Sequence, residues 1–535
     1  LRSTPRYALT ATDAAGELAF HLDRAGDEAG AFVASLDAAD AAEAIAPAAC
    51  RAHLERALEL WERHGPPERA EERIHRTWQL AELASAAGEN RRAVELGRQA
   101  MALGTPRGRA WPQERIARYL WADGQIAESA EAYALAAQLV ESEPEANAAP
   151  AYAGLAQADL MFGRVDSADR WARRALASPG GDDAAVRSMA LRVVGLVDVM
   201  QGRLAEGIEH CRASVDAAVA PHQRALAVAY LGIALQDAGC TEDSVRTALD
   251  GAADAQVAGF ETSFAAFLFG LAANGLVRLG RWHEADAVLA SVAGIEPMPI
   301  AELQLLSSTA TLAMRRGDID DARAIVERLI GIPTDPMNQA VVASTSAQLH
   351  LVAGEWDHAA AVASDALAPS DGEPRWAAVF TAYATTAEVE RALDAIARRE
   401  PMDVADVERS VRDRLAWARA LPGSVGPVAE AHLAFAHATV TRLTKADPDA
   451  WAHAAEAAAR LGDPWLEATA RMHEAEAAAV DGAAARAADA LRAAYEHATA
   501  LGARPLVTQI EALSRRARLS VEAAAPAELD ERGVA

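Results

Sequence analysis

The chain has 535 residues and a net charge of -26. That length exceeds an ordinary single-core domain, so the chain is either several domains or one repeat array. So large a negative charge repels phosphate backbones and excludes a general nucleic-acid binder.

About a quarter of the residues are alanine, the best helix former because it loses no side-chain entropy. Aromatics are few, so the composition predicts closely packed helices with small side chains at their contacts. Cys50, Cys211 and Cys240 form no CxxC pair, which removes a zinc knuckle or disulfide framework and leaves reduced thiols. The longest uncharged stretch, Thr262 to Val277, is shorter than the ~20 residues a membrane span needs. The first residues lack the apolar core of a signal peptide. A cytoplasmic protein is expected, with no membrane contact. The chain opens on Leu1 rather than methionine, which reads as a piece of a longer gene product.

In chain order, a lead-in over residues 1–65 holds a weak hairpin, with Gly26 between Ala19 and Ala31. Residues 66–369 carry the regular array. Glycines recur at Gly88, Gly124, Gly163, Gly202, Gly239, Gly280, Gly317 and Gly354, 36 to 41 residues apart. Seven residues before each stand Ala81, Ala117, Ala156, Gly195, Gly232, Ala273, Ala310 and Ala347; five after stand Ala93, Ser129, Ala168, Gly207, Ser244, Ala285, Ala322 and Ala359. All sixteen are small, as two helices need if they are to cross at about 8 Å. Two after the glycine the side chain is usually large: Ile126, Val165, Leu204, Trp282, Ile319 and Trp356, with Asn90 and Thr241 the exceptions.

The period and the small crossings resemble the tetratricopeptide family, whose unit is ~34 residues. The fold class expected is all-α, a right-handed superhelical solenoid of tetratricopeptide-like hairpins. Residues 370–518 read as degenerate hairpins and a C-terminal cap; 370–461 break the register but still read as helices, over Trp376 to Arg399, Val404 to Leu421, Val428 to Leu443 and Ala450 to Leu461. Breaks fall at Pro401, Pro422-Gly423 and Asp447-Pro448. Gly482, with Ala475 and Ala487, marks a weak last hairpin. The segment 519–535 is rich in alanine and acid without period and reads as disordered.

No catalytic constellation emerges. Lys445 follows Thr444 without a glycine frame, so a P-loop is missing from this segment. His473-Glu474 has no second histidine at the HExxH step, and Gly423-Ser424-Val425-Gly426 is not a nucleophile elbow. His432 and His437 are five apart and do not share a helix face. His210-Cys211 are adjacent and diverge, so both read as structural. No enzyme activity, metal or cofactor is expected.

In such solenoids first helices line the concave surface, so side chains thirteen, ten, six and three before each glycine should face a groove. The candidates are Trp111, Arg118, Trp121, Gln157, Met189, Arg192, Gln236, Phe267, Asn274, Gln304, Thr311 and Gln348. Neutral amides and hydroxyls mixed with Met and Phe suit a peptide, a protein segment or a small organic effector.

Two stretches go further. Glu17-Leu18-Ala19-Phe20-His21-Leu22-Asp23-Arg24-Ala25-Gly26-Asp27 with Ala52 to Trp61 resembles the opening of the helical-repeat region in large ATP-binding LuxR-type regulators of the maltose-activator kind. Leu501-Gly502-Ala503-Arg504-Pro505-Leu506 through Arg518 resembles their last helical pair. The resemblance implies a sensor region in which repeats receive an inducer or inhibitory protein, while ATP hydrolysis and DNA binding belong to flanking parts. A stand-alone scaffold for protein partners is the competing reading, and an all-helical enzyme a weaker third.

Overall fold

The computed structural model describes residues 11–105, 108–143, 147–368, 373–421 and 426–519, and among them every regular element is helical. The Pro422-Gly423 break, Ser424 and Val425, and the tail beyond Leu519 lie outside the described residues.

The early helices are α1 (Ala11–Arg24), α2 (Glu28–Ala42), α3 (Pro47–His64), α4 (Ala70–Ala86), α5 (Asn90–Leu103), α6 (Ala110–Ala122), α7 (Ile126–Ser142), α8 (Ala149–Met161) and α9 (Val165–Ala177). Then come α10 (Ala184–Met200), α11 (Leu204–Ala217), α12 (Pro221–Asp237), α13 (Thr241–Val257), α14 (Ala266–Arg278), α15 (Trp282–Ser291), α16 (Pro299–Arg316), α17 (Ile319–Ile330), α18 (Pro336–Val352) and α19 (Trp356–Leu367). The last are α20 (Pro374–Arg398), α21 (Val404–Ala420), α22 (Pro427–Thr441), α23 (Pro448–Leu461), α24 (Pro464–Val480), α25 (Ala484–Leu501) and α26 (Arg504–Ala517). The contacts form two compact units. The first holds α1–α7, most of α8 and the end of α9; the second holds the remainder of α8 and α9 and all of α10–α26. Each is a stack of antiparallel helical hairpins of the tetratricopeptide-like kind.

Glycine ends the first helix of each hairpin for a backbone reason. All eight register glycines have φ between 69° and 91°, a region where a Cβ is strained. There the next amide turns back to the helix, as Glu89 N donates to Ala84 O at 2.9 Å and Arg281 N to Leu276 O at 2.9 Å. These bonds satisfy carbonyls that a helix end leaves open. The residue two past each glycine begins the second helix in every hairpin, Asn90 and Thr241 included.

The small residues are where the helices touch. All sixteen are buried. A Cβ on Gly195 of α10 would lie 2.5 Å from Cys211 Sγ and 2.7 Å from Gly207 O of α11. Where serine replaces alanine, its hydroxyl bonds the facing backbone: Ser129 Oγ donates to Ala117 O, and Ser244 Oγ to Gly232 O, each at 2.7 Å. His210 hydrogen-bonds Asp198 at 2.8 Å, and Cys211 is buried against Gly195.

The out-of-register segment forms α20–α23, each within two residues of the sequence expectation. In the second unit these and later helices return to the earlier hairpins. A Cβ on Gly239 would stand 3.0 Å from Pro427 Cβ, one on Gly280 2.8 Å from Pro464 Cγ and 2.6 Å from Leu501 Cδ2, and one on Gly317 2.6 Å from Pro505 Cγ. Each turn glycine thus receives the proline that opens, or follows the opening of, a first helix five hairpins further along. Leu276, Trp282 and Leu312 share one apolar cluster with Leu491, Leu506 and Ile510, and a fully buried Leu or Ile contributes about 1.5–3 kcal/mol. Arg315 forks onto Asp463 at 3.2 and 2.8 Å. Asp463 also caps α24 through Leu466 N.

Gly354 and Gly280 separate backbone strain from this docking. A Cβ on Gly354 meets only Trp356, at 3.7 Å, whereas one on Gly280 collides with the returning helices. Gly354→Ala should cost about 1 kcal/mol of left-handed strain. Gly280→Ala should cost a further ~1–3 kcal/mol from overpacking and speed amide exchange in α24–α26. Urea midpoints and hydrogen exchange test both; equal losses for the two variants would contradict the docking.

Candidate functional site

The residues expected to face the groove divide between the two units. Trp111, Arg118 and Trp121 lie on α6 and Gln157 on α8, in the first unit. Met189 and Arg192 (α10), Gln236 (α12), Phe267 and Asn274 (α14), Gln304 and Thr311 (α16) and Gln348 (α18) lie in the second. Gln157, Arg192, Gln236 and Thr311 are buried; the other eight are partly covered.

In the first unit the polar groups of this face largely satisfy one another. Arg118 donates to both oxygens of Glu82 at 2.9 Å. Trp111 packs edge-on to Trp78 at 5.1 Å, with Arg115 above it at 5.3 Å. Burial raises the Glu114 carboxyl, opposed by Arg115 and Arg118.

Several second-unit candidates serve packing. Phe267 joins the apolar cluster of Ala229, Leu268 and Leu271. The Arg192 guanidinium lies over the Tyr230 ring at 5.6 Å. Thr311 Oγ1 returns a bond to Ser307 O at 2.9 Å. Gln348 Nε2 donates to Ser344 Oγ at 3.3 Å.

A richer cluster lies among residues that the groove positions omit. Arg278 closes α14, Arg315 lies near the end of α16, and Asp237 closes α12. All three stand two residues before a register glycine. Asp237 pairs with Arg375 of α20 at 2.5 Å, and Arg315 with Asp463 at the head of α24. Tyr383 of α20 meets His432 of α22 edge-on at 6.0 Å, and Ser344 of α18 works against the burial that raises its phenol. First helices α14 to α22 and the cap of α24 therefore carry polar groups that bear on one another: Arg278, Arg315 and Asp463 all act on both His432 and Tyr383. Arg278, Gln348, Tyr383 and His432 are only partly covered, so solvent reaches each.

The electrostatics agree with an interior position. Burial lowers His432 to about 4, helped by Arg278, so the ring is neutral at pH 7. Burial raises the Tyr383 phenol to about 12. Glu373, before α20, is pushed up to about 7 by burial, against Arg375 and with Asp237 and Asp335. It lines a cavity of about 30 Å³ with Asp237, Arg375, Met200 and Val428, room for about one water. His437 is exposed while His432 turns inward, as their five-residue spacing requires.

The missed residues had one sequence signal, the charged side chain two before the glycine in three successive repeats. Tyr383 and His432 had none, since their helices carry no register glycine.

Comparison with known proteins places the chain only broadly. No protein-family model matches it, and neither does any protein of curated function. Among solved structures it is similar to a tetratricopeptide repeat protein from Parabacteroides merdae ATCC 43184, with TM-score 0.36 and 12% identity over 52% of this chain and 98% of that one. It is also similar to the APC/C hetero-tetramer Cut9-Hcn1, with TM-score 0.47 and 11% identity over 95% of this chain and 94% of that one. Neither likeness bears on what this chain binds.

Glu373 makes a pH dependence. The folded chain holds its proton up to about pH 7, whereas an unstrained glutamate releases it near 4.5. Its contribution is complete below pH 4.5 and is lost as pH rises through 7. Glu373→Gln should flatten that decline and leave the variant more stable than the parent at about pH 8. Urea midpoints from pH 5 to 8 check this. His432, shifted down, gives the opposite slope, losing stability as pH falls from 6.5 through about 4.

Proposed function

We propose that this chain is the effector-receiving helical-repeat region of an ATP-binding LuxR-type transcriptional regulator, with a small organic effector entering the interior of the second unit. One observation carries this reading. Polar groups from consecutive first helices act on one another's charge, several are only partly covered, and Arg278 holds no carboxylate among the described residues. Neutral acceptors and donors at Ser344, Gln348, Tyr383 and His432 mix there with one cation, Arg278. A few convergent polar groups that solvent can reach are what fixes a ligand's orientation in a small-molecule site.

The resemblance of both ends of the chain to that regulator family supports the role. The second of those stretches includes Leu501 and Pro505, the side chains seated on Gly280 and Gly317. A ligand spanning α14 to α22 would favour one spacing of the docked turns over another. Each hairpin contacts its neighbours, so small rotations accumulate along the array. The relay would run to a protein partner in the cytoplasm; ATP hydrolysis and DNA contact would be the work of other modules of such a regulator.

Asn274→Leu with Gln348→Leu tests the site, since both side chains lie on the expected inner faces. A metabolite at a hundred times its Kd should stabilise the parent by about 2.7 kcal/mol, seen as a higher Tm, and the double variant should lose most of that shift. A library in which no small molecule raises the Tm, while a protein partner binds the double variant as tightly as the parent, would replace the sensor by the scaffold.

A further inference from the structure

The interior of the second unit has an unbalanced charge. Arg315 and Arg375 each hold their own aspartate, Asp463 and Asp237. Arg278 holds none: among the described residues its bond is from Nη1 to Gln236 O at 3.1 Å. A guanidinium has five N–H donors, so most of those on Arg278 are unused. Its side chain is partly covered rather than sealed, and burial lowers its pKa, with Asp463 and Asp237 opposing and Arg375 and Arg315 assisting. Arg375, Asp237 and Asp335 act on Glu373, and Glu373 is not among the groups that shift Arg278. Solvent reaches this guanidinium, so a ligand carboxylate could replace water on its open N–H groups.

The groups around it narrow the ligand. His432 feels Arg278, Asp463, Arg315 and Arg375, and its ring is neutral, so it offers one donor and one acceptor. Tyr383 and Ser344 add hydroxyls. Asp237 and Asp463 already pair with Arg375 and Arg315, so the single open guanidinium of Arg278 calls for a ligand with one negative charge. A fork of N–H donors matches a carboxylate in geometry as well as charge.

We propose that this interior takes an organic monoanion bearing hydroxyl or amide groups, with its carboxylate on Arg278 and its neutral groups on Tyr383, Ser344 and His432. The proposal rests on the reading of this space as the effector site.

Short hydroxylated monocarboxylates such as glycerate and gluconate, each beside its neutral primary amide and a phosphate monoester, are measured by thermal shift and calorimetry on the full chain. An acid should bind at least about tenfold tighter than its amide, a difference of 1.4 kcal/mol, and tighter than the phosphate ester. Arg278→Met should erase that preference, and Arg278→Lys should restore part of it. With no ligand present, Arg278→Met should match or exceed the parent in Tm, because an unpaired cation has been removed. A ligand-free Tm several degrees below the parent would mean that Arg278 serves the Gln236 carbonyl, and would overturn the proposal. Amides that bind as well as acids, unaffected by Arg278→Met but lost in Asn274→Leu with Gln348→Leu, would refute the anion and keep the effector site. If no probe binds and Arg278→Met also lowers the ligand-free Tm, both fall.

Discussion

A left-handed glycine between two helices that cross at small side chains is the constraint on which this chain depends. The positive φ lets the first helix end and the backbone reverse within one residue, while the Schellman-type bond returns an amide to the open carbonyls. The crossing then brings backbones so close that Gly195 and Gly207 have no room for a methyl group. Alanine elsewhere and serine with its back-bond at Ser129 and Ser244 are the two other solutions to the same steric limit.

The turn glycines of the second unit have an added duty. Missing side chains at Gly239, Gly280 and Gly317 leave seats for Pro427, Pro464 and Pro505. A proline in the first turn of a helix loses no bond, since its N–H would be unpaired there, so a flat apolar ring can cover the turn. That docking is what turns a face into an interior. Charges near the turns then meet partners from a later part of the chain: Asp237 finds Arg375 and Arg315 finds Asp463.

An arginine in each unit meets a different electrostatic setting. Arg118, on the expected inner face of the first, is neutralised by Glu82 one hairpin earlier. Arg278 in the second has neighbours whose carboxylates are already engaged. Local sequence spacing sets the first outcome, since the Arg118 partner lies 36 residues away, one repeat. Partners of Arg315 and Arg375 lie 148 and 138 residues away.

Hairpins were legible from sequence because their cause is local. Glycine must supply φ > 0 and small residues must sit at fixed steps from it, so period and helix starts follow from spacing alone. The irregular helices α20–α23 were also legible, because proline and glycine stop helices whatever surrounds them. Which faces would be enclosed was not legible. That depends on how rotations between successive hairpins add up, and no single repeat contains the sum. Residue offsets placed Gln236 and Thr311 on an inner face, but only the tertiary structure brought Tyr383 and His432 under the influence of Arg278 and gave Arg315 and Arg375, not Arg278, an aspartate partner.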